Sequence, residues 1–378
     1  MAADLLSYGR QQIDEDDIAA VVEVLRSDWL TTGPKVAAFE KALVDYTGCA
    51  YAVAVSSGTA ALHTAYAAAG IGSGDEVIVP AITFAATANA TVYLGATPIF
   101  ADVDPDSLLI DVTSVEEKIT SRTKAVVAVD YAGQPCDYDA LRQLAQKHNL
   151  VLIADASHSL GAAYKGVRCG HLADLTTFSF HPVKPLTTAE GGAVCTDNPD
   201  YAVRMRRFRN HGISVEHQQR SDWCYEMTDL GFNYRLSDLQ SALGISQLKK
   251  LDEQIARRQN LATTYRRHLA DSKTIRPLAA LPDVDHGYHL FVVKVPAAQR
   301  EVTFHALRHQ GIGVNVHYLP AYLHPFYRDK FDYRAGLCPQ AEQVYEKILS
   351  VPIFPAMTEE DVERVVTALQ RCCGEQKD

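Results

Sequence analysis

Residues 151–194 constrain the fold of this chain more than any other segment. They open with VLIAD, four apolar residues that end in Asp155. A short, continuous apolar run of this kind is typical of a buried strand in a parallel sheet. Because ligands of open α/β sheets bind beyond the carboxyl ends of the strands, we expect Asp155 to lie at the edge of a binding site.

Lys184 follows a second strand-like run, TTFSFHPV, in the same segment. Pro182 and Pro185 flank the lysine and restrict its backbone, which predicts a rigid, extended loop. Ser179 lies five positions before Lys184, where its hydroxyl could donate to a phosphate. A lone lysine in such a loop is usually solvated, but its combination with Asp155 and Ser179 favours a desolvated, nucleophilic amine.

These groups together predict a site for pyridoxal 5′-phosphate (PLP). Lys184 would carry the aldehyde of PLP as a Schiff base. Asp155 would keep the pyridinium nitrogen protonated, because an opposite charge at close range favours the charged form. A protonated ring is the electron sink on which PLP chemistry depends.

The spacing D-A-S-H…S-F-H-P-V-K-P-L-T-T-A-E-G-G resembles that of the DegT/DnrJ/EryC1/StrS sugar-nucleotide aminotransferases, a branch of the fold-type I PLP enzymes. The resemblance covers nearly the whole chain. It implies that Lys184 binds PLP covalently, that Asp155 faces the pyridine nitrogen and that Ser179 contacts the phosphate. Some members carry histidine at the lysine position and act as dehydratases, so lysine at this position favours aminotransfer.

A second candidate phosphate site follows the strand predicted at Tyr51–Val55. The small residues SSGT, at positions 56–59, precede an Ala-rich helix. Free N–H groups and the helix dipole favour an anion at such a helix N-terminus. The same residues also suit a plain N-cap, and both interpretations remain open from the residues alone. The resemblance implies that Gly58 and Thr59 hold the PLP phosphate.

Three further cofactor contacts depend on the resemblance. Phe84, at the head of a predicted helix, is by itself more typical of a core aromatic; the resemblance implies that it stacks on the PLP ring. His158 is by itself more typical of a structural histidine, and relatives place His or Gln here near the 3′-hydroxyl of PLP. Asn233, in the irregular run GFNYR, resembles an asparagine that reaches the PLP phosphate of the other subunit. This implies a homodimer with shared active sites.

The substrate cleft is the least constrained part of the prediction. The run HYLPAYLHPFYR is rich in aromatic and histidine residues and broken by prolines. Such a composition suits a cleft wall and equally suits a buried loop. The TTGP run that contains Thr31 is by itself only a turn. The resemblance implies that Thr31, His317 and Tyr318 face the substrate.

Strand and helix patterns alternate between residues 50 and 195, which predicts a doubly wound, mostly parallel sheet. We therefore expect an α/β fold, and the resemblance implies a fold-type I PLP-dependent transferase. Its large PLP-binding domain, with the N-terminal segment, would span residues 1–245. A smaller C-terminal α+β domain would span residues 246–378.

Charge and composition exclude several other classes. The net charge of −10 argues against nonspecific nucleic-acid binding. The eight cysteines have no CxxC or zinc spacing, so we expect reduced thiols and no metal. The opening residues MAADLLSYGRQQ lack the pattern of a signal peptide, and no run has the length of a membrane helix. We expect a cytoplasmic protein.

The predicted reaction moves an amino group, from L-glutamate, to a ketone on a nucleotide sugar. SFHPVKPLTTAEGG and HYLPAYLHPFYR most resemble the C4-aminotransferases of pseudaminic acid biosynthesis, which act on a UDP-linked 4-keto-6-deoxy-N-acetylhexosamine. The alternatives are C4- or C3-amination of another UDP- or dTDP-keto sugar, a dehydratase or racemase on the same fold, and a non-catalytic regulator that binds PLP or a sugar nucleotide. A nucleotide-binding oxidoreductase is disfavoured because no strand leads into G-x-G-x-x-G.

Overall fold

The computed structural model of the chain describes residues 5–214 and 223–375. Its strands are β1 Tyr51–Val55, β2 Glu76–Pro80, β3 Thr97–Ala101, β4 Thr123–Val129, β5 Val151–Asp155, β6 Ala163–Tyr164, β7 Val167–Arg168, β8 Leu175–Ser179, β9 Gly192–Thr196, β10 Arg276–Pro277, β11 Val284–Asp285, β12 Phe291–Lys294 and β13 Ile348–Val351.

The helices are α1 Glu15–Leu25, α2 Pro34–Thr47, α3 Gly58–Ala68, α4 Ala85–Tyr93, α5 Val112–Glu117, α6 Tyr138–His148, α7 Pro199–Arg209, α8 Asp238–Leu248, α9 Leu251–His268, α10 Ala297–His309, α11 Pro325–Phe331, α12 Pro339–Tyr345 and α13 Glu359–Cys372. Short 3₁₀ turns occur at Tyr131–Gly133 and Ala321–Leu323.

The large sheet has seven strands in the order β1-β9-β8-β5-β4-β2-β3. β9 is antiparallel to both of its neighbours, and the remaining pairs are parallel. The carboxyl ends of β1, β4, β5 and β8 therefore point to the same edge of the sheet. The predicted α/β fold with a large, mostly parallel sheet is confirmed.

Both faces of this sheet are covered, because successive residues of one strand pack into different apolar clusters. In β1, Val53 and Val55 pack into one apolar cluster, whereas Ala52 and Ala54 pack into another. β9 divides in the same way. A sheet buried on both faces explains why VLIAD is apolar throughout instead of alternating with polar residues.

A smaller sheet, β10-β12-β13, packs with α9, α10 and α13 around a separate apolar cluster. Leu6, near the N-terminus, joins this cluster, and it runs parallel to Ile312. Residue 245 lies inside α8, and α9 packs with the smaller sheet. The division of the chain at residue 245 stays a prediction.

Capping residues define the starts of several helices. Asp14 caps α1 with a reciprocal capping box, and Ser237 does the same for α8. In the residues that the structure describes, no helix is long and apolar enough to cross a membrane.

Candidate active site

A cavity of about 580 Å³ opens at the carboxyl-end edge of the large sheet. Most of the residues that the sequence analysis singles out line it. They are Gly58, Thr59, Phe84, Asp155, His158, Ser179, Lys184, His317 and Tyr318. The cavity therefore brings together residues that lie up to 260 positions apart in the chain.

Asp155 ends β5 and is only 5% exposed. Thr87 Oγ1 donates to its Oδ2 at 2.6 Å, and Ser157 donates to Oδ1 from Oγ at 2.6 Å and from its backbone N–H at 3.2 Å. Thr83 Oγ1 lies 2.7 Å from Thr87 Oγ1 and extends the network. Short hydrogen bonds to a carboxylate are strong, so the orientation of the Asp155 side chain is fixed from two sides.

Lys184 lies in the loop between β8 and β9. Its backbone N–H donates to His181 O at 2.9 Å, and Thr188 N–H closes the loop onto Phe180 O at 3.0 Å. Burial lowers the pKa of Lys184 to about 8, against the opposing effect of the Asp155 charge. The amine therefore loses its proton far more readily than a solvated lysine, which makes it a better nucleophile.

The start of α3 lies directly against Ser179. A Cβ placed on Gly58 would come within 2.7 Å of Ser179 Cβ, so only glycine allows this approach. Ser57 Oγ accepts from Ala60 N–H at 3.0 Å, and the first bond within the helix runs from Ala61 N–H to Ser57 O. The N–H groups at the start of α3 thus meet the Ser179 hydroxyl in one concave corner, as an anion site requires.

A cluster of neutral rings forms the opposite wall. The rings of His158 and His289 lie 4.4 Å apart, and Tyr318 OH is 3.4 Å from His158 Nε2. Burial lowers the pKa of both histidines well below the ordinary value, so both are neutral near pH 7. The ring of Phe84, which is 60% exposed, lies 5.9 Å from that of Tyr318.

His317 is held in one tautomer. Asn315 Nδ2 donates to its Nε2 at 3.3 Å, so Nδ1 carries the proton and donates to Ser350 Oγ at 2.8 Å. Burial lowers the pKa of His317 to about 4. The tyrosine ring of Tyr8 lies 5.5 Å from this imidazole. This wall of the cavity therefore offers neutral hydrogen-bonding groups and no added charge.

Sequence reasoning missed several residues of the site. Tyr8, Ser157, His289 and Asn315 line the cavity, and Thr87 holds Asp155 from behind. Ser157 stands in the D-A-S-H motif and was within reach of a motif argument. Tyr8 and His289 enter the cavity from distant segments, which no local pattern reveals.

Thr31 and Asn233 do not line this cavity. Thr31 lines a separate groove of about 520 Å³, whose basic residues include Arg206 and Arg235. Asn233 is exposed and forms an antiparallel bridge with Asn210. Within one chain, neither residue joins the group around Lys184.

The fold and the similar solved structures place the chain among the PLP-dependent enzymes of fold type I. The model of the DegT/DnrJ/EryC1/StrS aminotransferase family matches residues 11–370. The chain belongs to that family, and it is a PLP-dependent sugar aminotransferase.

Three relatives illustrate the similarity. The spore coat polysaccharide biosynthesis protein SpsC of Bacillus subtilis is 39% identical over 374 residues, which cover 97% of this chain and 96% of SpsC. Helicobacter pylori PseC, an aminotransferase involved in the biosynthesis of pseudoaminic acid, superposes with a TM-score of 0.94 at 34% identity, covering 99% of this chain and 100% of PseC. The PLP form of the putative sugar aminotransferase Spr1654 from Streptococcus pneumoniae has a TM-score of 0.93 at 31% identity, covering 98% and 99% of the two chains.

The residues present fit PLP. The start of α3 and the Ser179 hydroxyl come together in one corner only because glycine stands at 58. Nδ1 of His158, which is buried in the wall of the cavity, has no hydrogen-bond partner within the described ranges. A reactive amine, an oriented carboxylate, an anion corner and an unsatisfied polar atom thus surround one space.

Proposed function

We propose that this chain transfers an amino group from L-glutamate to C4 of a UDP-linked 4-keto-6-deoxy-N-acetylhexosamine, a reaction of the pseudaminic acid type. The match to PseC over 99% of this chain and 100% of PseC carries the proposal. A substrate similar to that of PseC is the simplest expectation when the similarity in fold extends over nearly the whole chain.

Each cavity residue has a proposed role toward the cofactor. Lys184 Nζ binds the aldehyde carbon, and Asp155 faces the pyridine nitrogen. Gly58 and Thr59 offer backbone N–H groups to the phosphate, and Ser179 offers its hydroxyl. When bound, PLP supplies an electron sink that stabilises negative charge on the adjoining carbon.

Two rings complete the cofactor pocket in this proposal. Phe84 covers the ring of PLP, which its exposure at the mouth of the cavity permits. His158 stands beside the 3′-hydroxyl, where its unpartnered Nδ1 gains a hydrogen bond.

Lys184 also serves as the proton carrier once the amino donor occupies its place. Its Nζ would accept the proton that leaves the Cα of glutamate and deliver it to the C4′ carbon of the cofactor, and in the second half-reaction it would carry a proton the opposite way, to the sugar carbon that receives the nitrogen. A pKa of about 8 suits both tasks, because a group whose pKa lies near the working pH can both accept and donate. Asp155 remains oriented by Thr87 and Ser157 throughout.

The neutral wall suits an uncharged sugar ring. His317 and Tyr318 have hydrogen-bonding groups that fit hydroxyls and a ketone, and Tyr8 adds a further hydroxyl. Burial raises the pKa of Tyr8 and of Tyr318, so both phenols remain protonated donors at neutral pH.

We further propose a homodimer in which Asn233 and Thr31 of a second copy complete the site. Large apolar side chains within ten positions of Asn233 in the sequence are exposed, with Trp223 88% and Leu230 74% exposed. Exposed apolar groups of this kind are typical of an interface.

All eight cysteines are unpaired in the structure, which supports the proposed cytoplasmic location.

A second candidate is C4- or C3-amination of a different UDP- or dTDP-keto sugar. The 39% identity to SpsC, a spore coat polysaccharide biosynthesis protein, supports this candidate. SpsC is named for spore coat polysaccharide and PseC for pseudoaminic acid, so the two similarities support one reaction class and different sugars.

The test separates cofactor, donor and sugar. The PLP-loaded protein should have a visible band that glutamate bleaches. The bleached protein should then recover the band with the UDP-linked 4-keto sugar, and NMR of the product should place nitrogen at C4. Recovery only with a dTDP-keto sugar, or nitrogen at C3, would favour the second candidate. A band that glutamate leaves unchanged would exclude glutamate as the donor.

A further inference from the structure

Asp130 follows β4 immediately and is completely buried. Its Oδ1 accepts from Cys136 N–H at 3.0 Å and from Tyr138 OH at 2.9 Å. Its Oδ2 accepts from Ser159 Oγ at 2.6 Å and lies 3.6 Å from Cys169 Sγ. Four donors therefore surround a carboxylate that forms no ion pair with the part of the chain that the structure describes.

This arrangement is unfavourable for stability alone. A buried carboxylate without a cation keeps a large desolvation cost, and burial raises the pKa of Asp130 to about 6 in spite of its hydrogen bonds. A neutral amide of the same shape would avoid the buried charge, but its NH₂ group would face the Ser159 hydroxyl and the Cys169 thiol, which both donate to the carboxylate. A carboxylate at this position therefore calls for a role that an amide fills less well.

The two oxygens of Asp130 serve different parts of the molecule. Oδ1 holds Cys136 and Tyr138, which lead into α6. Oδ2 holds Ser159, which stands one residue after His158 and four after Asp155. One oxygen of the carboxylate thus binds the start of α6, and the other binds the turn that follows β5.

The turn after β5 is tied down at few points. Ala156 N–H donates to Thr177 O at 2.9 Å, Ser159 N–H to Ala156 O at 3.0 Å, and Ala162 N–H to Ser159 O at 2.8 Å. Asp130 N–H also donates to Asp155 O at 3.1 Å. The bond from Ser159 Oγ to Asp130 is the side-chain link between the middle of this turn and β4.

A glycine after Asp130 supports the same turn. A Cβ on Gly133 would come within 2.9 Å of His158 O and of His289 N, so the chain after Asp130 packs directly on the backbone of both histidines. Asp130 therefore contacts the turn at Asp155 and Ser159, and Gly133 contacts it at the backbone of His158.

We propose that Asp130 is a positioning residue: through Ser159 it holds the turn that carries Asp155, Ser157 and His158 against PLP. The proposal rests on the roles proposed above for Asp155 and His158. Asp130 itself does not touch the cavity, and it acts only through the turn.

The two-sided geometry supplies matched variants. Ser159→Ala removes the donor on the cofactor side. Tyr138→Phe removes the donor on the helix side and leaves the turn untouched. Asp130→Asn still accepts from Cys136 and Tyr138 through one oxygen, but it presents an NH₂ group to Ser159, whose hydroxyl must then reverse.

The experiment titrates PLP into the cofactor-free protein and records the dissociation constant and the position of the visible band. Asp130→Asn and Ser159→Ala should each weaken PLP binding roughly tenfold or more and shift the band, since each breaks a charge-assisted bond. Tyr138→Phe should stay within about threefold of wild type. The double variant Asp130→Asn/Ser159→Ala should be no worse than the poorer single, because both act on one link.

Thermal unfolding of the cofactor-free protein gives the second readout. The midpoint for Asp130→Asn should equal or exceed that of wild type, since an unpaired buried charge is removed. The proposal is overturned if Tyr138→Phe weakens PLP binding as much as Ser159→Ala, or if Asp130→Asn and Ser159→Ala bind PLP as wild type does. If Asp130→Asn does not fold, the Ser159→Ala and Tyr138→Phe pair decides. Absence of PLP binding to wild type would refute the proposed cofactor roles instead.

Discussion

Two concave regions of this chain have similar sizes and different construction. The cavity around Lys184, of about 580 Å³, is built where several strands of one sheet end. The groove around Thr31, of about 520 Å³, is built by loops and helix ends on either side of β1. Size alone does not distinguish the two, whereas the origin and burial of their polar groups do.

In the cavity, the functional groups are buried and already oriented. Asp155 accepts three hydrogen bonds, two of them at 2.6 Å, and His317 is held in one tautomer. In the groove, Trp29 is 48% exposed and Tyr225 58% exposed. Arg209 pairs with Glu40 and donates to Ala54 O, so its charge is used within the wall. The polar groups of the cavity are buried and oriented, whereas the groove presents exposed aromatic side chains.

Lys184→Ala should have the largest effect of any change to the cavity. It removes both the covalent attachment and the proton carrier, so kcat should fall roughly 10⁴-fold or more. The visible band of the attached cofactor should disappear. Lys165→Ala is the control, because Lys165 pairs with Asp139 at the surface and 2.6 Å separates Nζ from Oδ2. An alanine variant with nearly normal turnover would refute the assigned role of Lys184.

Asp155→Asn should have the next largest effect. The amide keeps the shape of the side chain and removes the negative charge that faces the pyridine nitrogen. We expect kcat to fall roughly 10²- to 10³-fold, as for the loss of one preorganised electrostatic contact. Asp174→Asn is the matched control, since Asp174 accepts from Leu152 N–H at 2.8 Å near the opposite end of the same strand. Equal losses in the two variants would mean that the strand needs both carboxylates only for its structure.

Much of the cavity could be predicted because its central residues are close in sequence. Asp155, Ser179 and Lys184 occupy one segment of thirty residues, and β5 begins and ends where the apolar run does. The SSGT motif allowed two interpretations, and the structure combines them. Ser57 caps α3, while Gly58 packs on Ser179.

The rest of the site depends on tertiary structure. Thr87 stands one turn after the predicted Phe84, yet its bond to Asp155 depends on how α4 lies across the sheet. His289 reaches the cavity from the loop before β12. Asp130 could pass for an ordinary turn residue until the structure shows that four donors surround it.

Asn233→Ala tests a residue next to the groove, since Asn233 forms a bridge with Asn210, which lines it. If Asn233 of a second copy contacts the PLP phosphate, the variant should bind PLP roughly tenfold more weakly, the cost of one hydrogen bond to a charged group. Asn198→Ala is a control, since Asn198 only caps α7.

Mixing provides the stricter test of that contact. At a limiting PLP concentration, at which few Asn233→Ala sites are occupied, the Lys184→Ala and Asn233→Ala proteins should exchange subunits and recover about a quarter of wild-type activity, because half of the dimers then contain one intact site out of two. If the activity of the mixture is no greater than the mean activity of the two separate proteins, the proposed sharing is wrong. Asn233 then acts in the same site as Lys184 of its own chain, or it acts in no site.

Tyr8→Phe should have the smallest effect on activity. It tests whether the N-terminal segment contributes to the substrate-binding wall beside His317. The N-terminal segment is tied to the smaller sheet, with Gly313 N–H donating to Leu6 O at 2.7 Å and Ile353 N–H to Tyr8 O at 3.1 Å. The Tyr8 side chain therefore enters the cavity from fixed backbone, beside His317.

Loss of the Tyr8 hydroxyl should raise KM for the sugar nucleotide about 3- to 10-fold, the cost of one neutral hydrogen bond, and should leave the glutamate half-reaction unchanged. Tyr46→Phe is the control, since its hydroxyl contacts Asp252 at 2.6 Å and not the cavity. If both half-reactions slow equally, Tyr8 supports the binding of the cofactor and not that of the sugar. The residues of the wall that contact the substrate would then be His317 and Tyr318.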